Sequence, residues 1–211
     1  MRRKILILLI LCTAALSGIL IGRLLFMPGM AVPARAIELQ SGTALSPARP
    51  LPDFDLLRDD GAATGRDAFR ERWTLVFFGF SHCPEVCPTT LAMLAGLRQS
   101  LAATVPEGQV PGIALFSADP ERDSPAVLEA YLAGFGAGFR GYTGTPEAMR
   151  AFATALGVPY QQVPMGDDYM IDHSAAIFLI NPQAELAALF QPPHVSAQLQ
   201  ADYMQMMSAD D

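Results

Sequence analysis

Thr74-Leu-Val-Phe-Phe-Gly-Phe80, followed directly by Ser81-His-Cys-Pro-Glu-Val-Cys-Pro88, is the stretch on which the reading of this chain turns. Its first half is a short, continuous, aromatic-rich run, the pattern of a strand buried on both faces of a central sheet. Its second half places Cys83 and Cys87 at the entrance to a helix. Pro88 sets the register, because proline is tolerated in the first helical turn but not deeper. The regular helix is therefore expected to begin near Cys87, with Cys83 in the connecting loop. Residues 89–104 continue it, with Leu94, Leu97 and Leu101 on one helical stripe.

Working outward, Ile113-Ala-Leu-Phe-Ser117 reads as a second strand. Ser124-Pro125 and Thr145-Pro146 each pair an N-cap with a first-turn proline and so open two further helices. Residues 175–180 and 186–190 are apolar strand runs separated by Asn181-Pro182-Gln183-Ala184, a hairpin turn. Residues 196–207 form a closing amphipathic helix. A β-α-β-α start that ends in a hairpin and a helix is the order of an α/β, thioredoxin-like three-layer sandwich.

The composition bounds the rest. The chain has 211 residues, 51% of them hydrophobic and only 17% charged, which excludes a disordered chain. Much of the excess is local: Ile5 to Gly22 carries no charge, follows Arg2-Arg3-Lys4 and is closed by Arg23. At 1.5 Å per residue this run spans roughly 27 Å, close to the hydrocarbon thickness of a bilayer. The basic cluster should remain cytoplasmic and send everything after Arg23 across the membrane. A cleaved signal peptide normally has a shorter apolar region, and Leu11 before Cys12 does not suit a lipoprotein site. The expectation is a cytoplasmic tip and uncleaved transmembrane helix over 1–26, with Cys12 packed in the membrane. A flexible linker over 27–50, containing Pro28, Pro33, Pro47 and Pro50, leads to one domain over 51–211. The corresponding location is a bacterial inner membrane, crossed once, with the domain in the periplasm.

Arg2, Arg3, Lys4 and Arg23 take four of the 14 basic residues, leaving 10 against 21 acids beyond the anchor. Such a surface is wrong for nucleic acid, which requires a basic face to displace counterions. Three cysteines exclude a disulfide-framework scaffold but leave room for a site built on chosen thiols.

At a helix N-terminus, unpaired N–H groups and the helix dipole should favour a thiolate and lower its pKa. Two thiols at this spacing can form a disulfide or share a metal ion. As a soft pair they suit copper(I) and do not complete a tetrahedral zinc set, so a third ligand is wanted. His82 adjoins Cys83, but neighbouring side chains diverge. His194 follows Pro192-Pro193 at the distal end of the domain. His173 stands in Asp172-His173-Ser174 immediately before a strand, in a loop that should face the cysteines; by spacing alone a structural role for it stays open. Asp172 could orient its ring, and Asp119, at a strand end on the same sheet edge, is a further supporting candidate. Arg122, between Glu121 and Asp123, could brace its own loop through ion pairs. Met165, Met170, Met204, Met206 and Met207 read as core fillers and adaptable contacts before they read as copper ligands.

Cys83-Pro-Glu-Val-Cys87-Pro88, Ser117-Ala-Asp-Pro-Glu-Arg-Asp-Ser-Pro125 and Asp172-His173-Ser174 before an apolar strand, in this order and spacing, resemble the Sco/SenC copper chaperones. The resemblance covers the anchor, the linker and the domain from about residue 50 to 207. It implies copper bound by Cys83, Cys87 and His173. It also implies a role in building the binuclear copper centre of cytochrome c oxidase, by delivering metal or by reducing the target cysteines. The implied partners are the copper-centre subunit of that oxidase and a copper donor or thiol reductant. Ala184 departs from the family pattern, in which glycine commonly occupies the hairpin turn. The competing reading is a thiol–disulfide oxidoreductase using Cys83 and Cys87 as its redox pair. Thioredoxin-type enzymes, however, carry a cis-proline where Asp172-His173-Ser174 stands here. A peroxidase lacks support because no T-x-x-C context is present.

Overall fold

The computed structural model describes residues 37–210, together with residues 3, 13, 16–18 and 22. The expected anchor over 1–26 falls largely outside the described residues, as does Cys12; among those described, no helix is long and apolar enough to cross a membrane. Residues 37–211 form one compact unit, and its architecture is as follows.

Ten strands and four α-helices follow one another within this unit. They are β1 (Gly42–Pro50), β2 (Leu56–Arg58), β3 (Ala63–Thr64), β4 (Thr74–Gly79), α1 (Val86–Ala102), β5 (Gly112–Ser117), α2 (Pro125–Leu132), β6 (Phe139–Thr143), α3 (Pro146–Ala155), β7 (Tyr160–Met165), β8 (Asp168–His173), β9 (Ile177–Ile180), β10 (Glu185–Phe190) and α4 (Ser196–Asp210). Eight strands make one sheet in the order β1-β10-β9-β4-β5-β6-β2-β3, while β7 and β8 form a separate two-stranded sheet. β4 is central, parallel to β5 and antiparallel to β9.

Alternation along β4 explains why both faces of the sheet must be covered. Leu75 and Phe77 point into a cluster with Leu91, Leu94 and Leu97 of α1, Leu128 of α2 and Tyr203 of α4. Val76 and Phe78 point the other way, against Phe116, Met149 and Phe152, the last two from α3. Helices on both sides of one mixed sheet give the three layers expected. The two caps are also present: Ser124 Oγ accepts from Val127 N at 3.4 Å, and Thr145 Oγ1 accepts from Ala148 N at 3.2 Å.

Two expectations require correction. The segment 42–50, read as the end of a linker, is strand β1, paired antiparallel with β10. Its prolines conceal it, but an edge strand tolerates proline because one of its sides needs no ladder bond. The residues before His173 are likewise no simple loop: they form β8, in which His173 pairs with Tyr160 of β7. The β9–β10 turn falls at 181–184 as expected, and Ala184 there adopts φ 61°, the left-handed region that favours glycine.

Candidate metal centre

The site forms at the carboxyl ends of the parallel strands β4 and β5, the edge where open α/β sheets place their ligand sites. β4 leads through Phe80 and Ser81 to the cysteine loop. Cys83 N donates to Phe80 O at 3.2 Å, turning the loop, and α1 begins at Val86, one residue before Cys87. Cys87 is fully buried, whereas Cys83 is partly exposed, and both are free thiols. Gly79 makes the burial of Cys87 possible. A Cβ at that position would lie 2.9 Å from Cys87 Sγ and 2.9 Å from the Phe77 ring, closer than atoms pack, so the sulfur occupies the space a side chain would take.

His173 reaches the same point from the other side. Its Nδ1 lies 2.9 Å from Ser174 O, and its Nε2 lies 3.8 Å from Cys87 Sγ. A carbonyl only accepts, so Nδ1 carries the proton and Nε2 turns its lone pair toward the sulfur. The rings of Phe77 and Phe80 meet the imidazole edge-on at centroid distances of 6.0 and 5.9 Å. Burial in this apolar setting lowers the His173 pKa, against the opposing pull of the Ser174 carbonyl and of Asp172. At neutral pH the ring is therefore neutral, as a ligand must be.

Cys83 Sγ accepts from Cys87 N at 3.4 Å, which keeps it at the helix entrance. Among the described residues, no three His, Cys, Asp or Glu side chains are already gathered as a metal cluster. Cys87 and His173 are thus brought together, with Cys83 beside them at the helix entrance.

The expected low-pKa thiolate does not hold for Cys87. Burial raises its pKa well above the usual thiol range, outweighing a backbone hydrogen bond at Phe80 that acts in the opposite sense. Removing a sulfur anion from water costs more here than the helix N-terminus returns.

Other sequence candidates lie elsewhere. Asp172 is exposed on β8, and the ring it was expected to orient is held by Ser174 O instead. Asp119 is buried, pairs with Arg122 and accepts from Tyr169 Oη at 2.9 Å, so it reaches the histidine strand and not the sulfurs. The His82 ring contacts Ser81 Oγ at 2.9 Å, and His194 Nε2 contacts Ala175 O at 2.8 Å. Met206 and Met207 fill the core beside α1, while Met165 and Met204 are exposed and Met170 is partly buried.

The sequence did not single out Asp123. Its buried carboxylate accepts from Ser81 Oγ, from Ser117 Oγ at 2.7 Å and from Ser81 N at 3.2 Å, tying the loop after β5 to the cysteine loop. Burial raises its pKa in spite of those bonds. Tyr131 of α2 was missed as well. Its buried hydroxyl has no hydrogen-bond partner among the described residues, and burial, then Cys87, Cys83 and Asp123, push its pKa up. Asp123 lies four residues beyond Asp119 in the same motif, which was a usable signal; nothing in sequence marks Tyr131.

A buried thiol facing a neutral imidazole, with a second thiol at the adjoining helix entrance of a thioredoxin-like α/β fold, defines a soft-metal or thiol-exchange site. Residues 43–208 match the SCO1/SenC family model, and the chain belongs to that family. A Stutzerimonas stutzeri protein named for copper binding is 33% identical over 97% of this chain and 92% of its own length. The mitochondrial SCO2 homolog of Bos taurus is 37% identical over 62% of this chain, which spans only 49% of that relative. The crystal structure of Arabidopsis thaliana ScoI with copper bound superposes with a TM-score of 0.71 at 29% identity, covering 74% of this chain and 97% of that one.

Proposed function

We propose that this protein carries copper on Cys83, Cys87 and His173 and passes it to the binuclear copper centre of cytochrome c oxidase. The observation that carries the reading is the 3.8 Å approach of His173 Nε2 to Cys87 Sγ, with Nδ1 already committed to Ser174 O. Two sulfurs and one imidazole suit copper, and the unfilled coordination positions suit a cargo that must leave. The copper-bound A. thaliana relative and the S. stutzeri relative named for copper binding support the same reading.

Copper is the cargo, and the chain's own groups do the rest. Each thiol surrenders a proton as its sulfur takes the ion, so loading releases protons and weakens on acidification. Oxidation of Cys83 and Cys87 to a disulfide removes two electrons and two protons and leaves neither thiolate to bind, so redox state gates loading. Arg2-Arg3-Lys4 ahead of the uncharged run from Ile5 to Gly22 supports tethering to a bacterial inner membrane with the domain in the periplasm.

The second reading is reduction of the cysteines of the apo copper site. The partly exposed Cys83 favours it as the attacking thiol, with Cys87 left to resolve the mixed disulfide.

The test is copper competition against a chelator with Cys83→Ala, Cys87→Ala and His173→Ala. Carriage predicts a large loss in each, and wild-type affinity in His173→Ala contradicts the three-ligand site. Abundant mixed disulfides trapped on a Cys87→Ala variant would instead rank reduction first.

A further inference from the structure

The strand that presents His173 belongs to a two-stranded ribbon that shares no ladder with the main sheet, so something other than sheet hydrogen bonds must fix it. At the His173 end the ribbon is held by apolar contact, through the buried Ile171 and the rings of Phe77 and Phe80. At its far end the ribbon is held by polar contacts to the loop after β5, those of Arg122 among them. Arg122, from the loop after β5, pairs with Asp119 through Nε and with Asp168 through Nη1 at 3.0 Å; its Nη2 donates to Tyr169 O at 3.3 Å. Its guanidinium carbon also lies 3.9 Å from the centroid of the Tyr169 ring. Tyr169 Oη donates in turn to Asp119 Oδ1 at 2.9 Å, and Gln162 of β7 donates to Glu121 at 3.0 Å. The Arg122 side chain is only 19% exposed and that of Asp119 is fully buried, so the Arg122–Asp119 pair is shielded from solvent while Asp168, at 77%, lies on the surface. Planar stacking and forked donation are what arginine supplies and lysine does not.

We propose that Arg122 is the positioning residue that clasps the β7–β8 ribbon and holds His173 over Cys87, so that releasing the clasp releases the imidazole. The loop carrying Arg122 also carries Asp123, which grips Ser81 beside the cysteines. A single turn after β5 therefore holds both halves of the site in register. The consequence for metal exchange rests on His173 being a copper ligand, as proposed above, whereas the clasp itself does not.

The test uses the full chain, reduced, as wild type and Arg122→Met. In the metal-free protein, amides over 160–173 should exchange about tenfold or more faster in the variant, consistent with losing one stacked, charge-assisted contact set. Amides in β4, β5 and β9 should keep their wild-type rates. The His173 ring-nitrogen signals, one set with Nδ1 protonated in wild type, should average between environments in the variant. Asp168→Asn, which alters only an exposed carboxylate, should give the same pattern more weakly. Unchanged exchange over 160–173 in both variants overturns the clasp.

Copper(I) transfer to a colorimetric chelator then tests the route. Arg122→Met should speed transfer in the wild-type background and have no further effect in His173→Ala. An equal acceleration in both backgrounds overturns the assignment, because Arg122 would then act without His173. If His173→Ala itself releases copper like wild type, the ligand reading fails, while amide exchange and the ring signals still decide the clasp.

Discussion

The two sides of the Cys87–His173 pair are held in opposite ways. Cys87 is rooted in the core, fully buried on α1 with its sulfur above Gly79 of the central strand. His173 ends a ribbon outside the main sheet, fastened by two phenyl rings at one end and by Arg122 at the other. The contrast separates duties. On the proposed function, the buried thiol would fix where copper sits and the imidazole would be the side that yields first.

The most severe break in this asymmetry is Cys87→Ala. Copper affinity should fall by more than the ~10–100-fold that follows loss of an outer partner, measured by chelator competition. The fold should lose only about 1–2 kcal/mol for the vacated sulfur, measured by denaturant titration. Gly79→Ala tests the fixed side without touching a ligand. The new methyl must displace Cys87 Sγ or the Phe77 ring, at a stability cost of about 1–3 kcal/mol, and copper binding should weaken in parallel.

Acidification probes the adjustable side. The folded-state pKa of His173 is depressed by burial, so its contribution to stability is present above the unfolded-state value of ~6.5 and is lost as pH falls through the lower folded value. Unfolding of the metal-free domain should therefore become easier as pH falls from ~6.5 down through the folded value, and His173→Gln should remove this part of the slope. The smallest effect is expected from Tyr131→Phe. Deleting a buried hydroxyl that has no partner among the described residues should leave stability unchanged or raise it by up to about 1 kcal/mol by thermal melting.

The same contrast governs what the sequence disclosed. The rooted side was legible because its signals are local: the apolar run of β4, Pro88 fixing the helix start, and the caps at Ser124 and Thr145. His173 was found through its motif, but the ribbon that carries it was not. Gln161, Gln162, Asp167 and Asp168 are exposed, and Ile171 is the ribbon's one buried residue, so no two-residue alternation marks either strand. β1 was hidden by Pro47 and Pro50, which an edge position tolerates.

Asp119 and Asp172 were plausible partners for the site residues by proximity in sequence. Tertiary geometry instead sends Asp119 to Tyr169, leaves Asp172 in solvent, and gives the cysteine loop to Asp123. The thiolate expectation for Cys87 failed for a related reason: the position on a helix can be read from a chain, but the depth of burial that raises the thiol cannot.

X-ray absorption at the copper edge, on the copper-loaded full chain and on its His173→Ala variant, is the most direct test of the centre. Wild type should show two sulfur scatterers and one nitrogen scatterer, with the nitrogen lost and both sulfurs kept in the variant. Identical spectra from the two proteins would contradict the three-ligand centre.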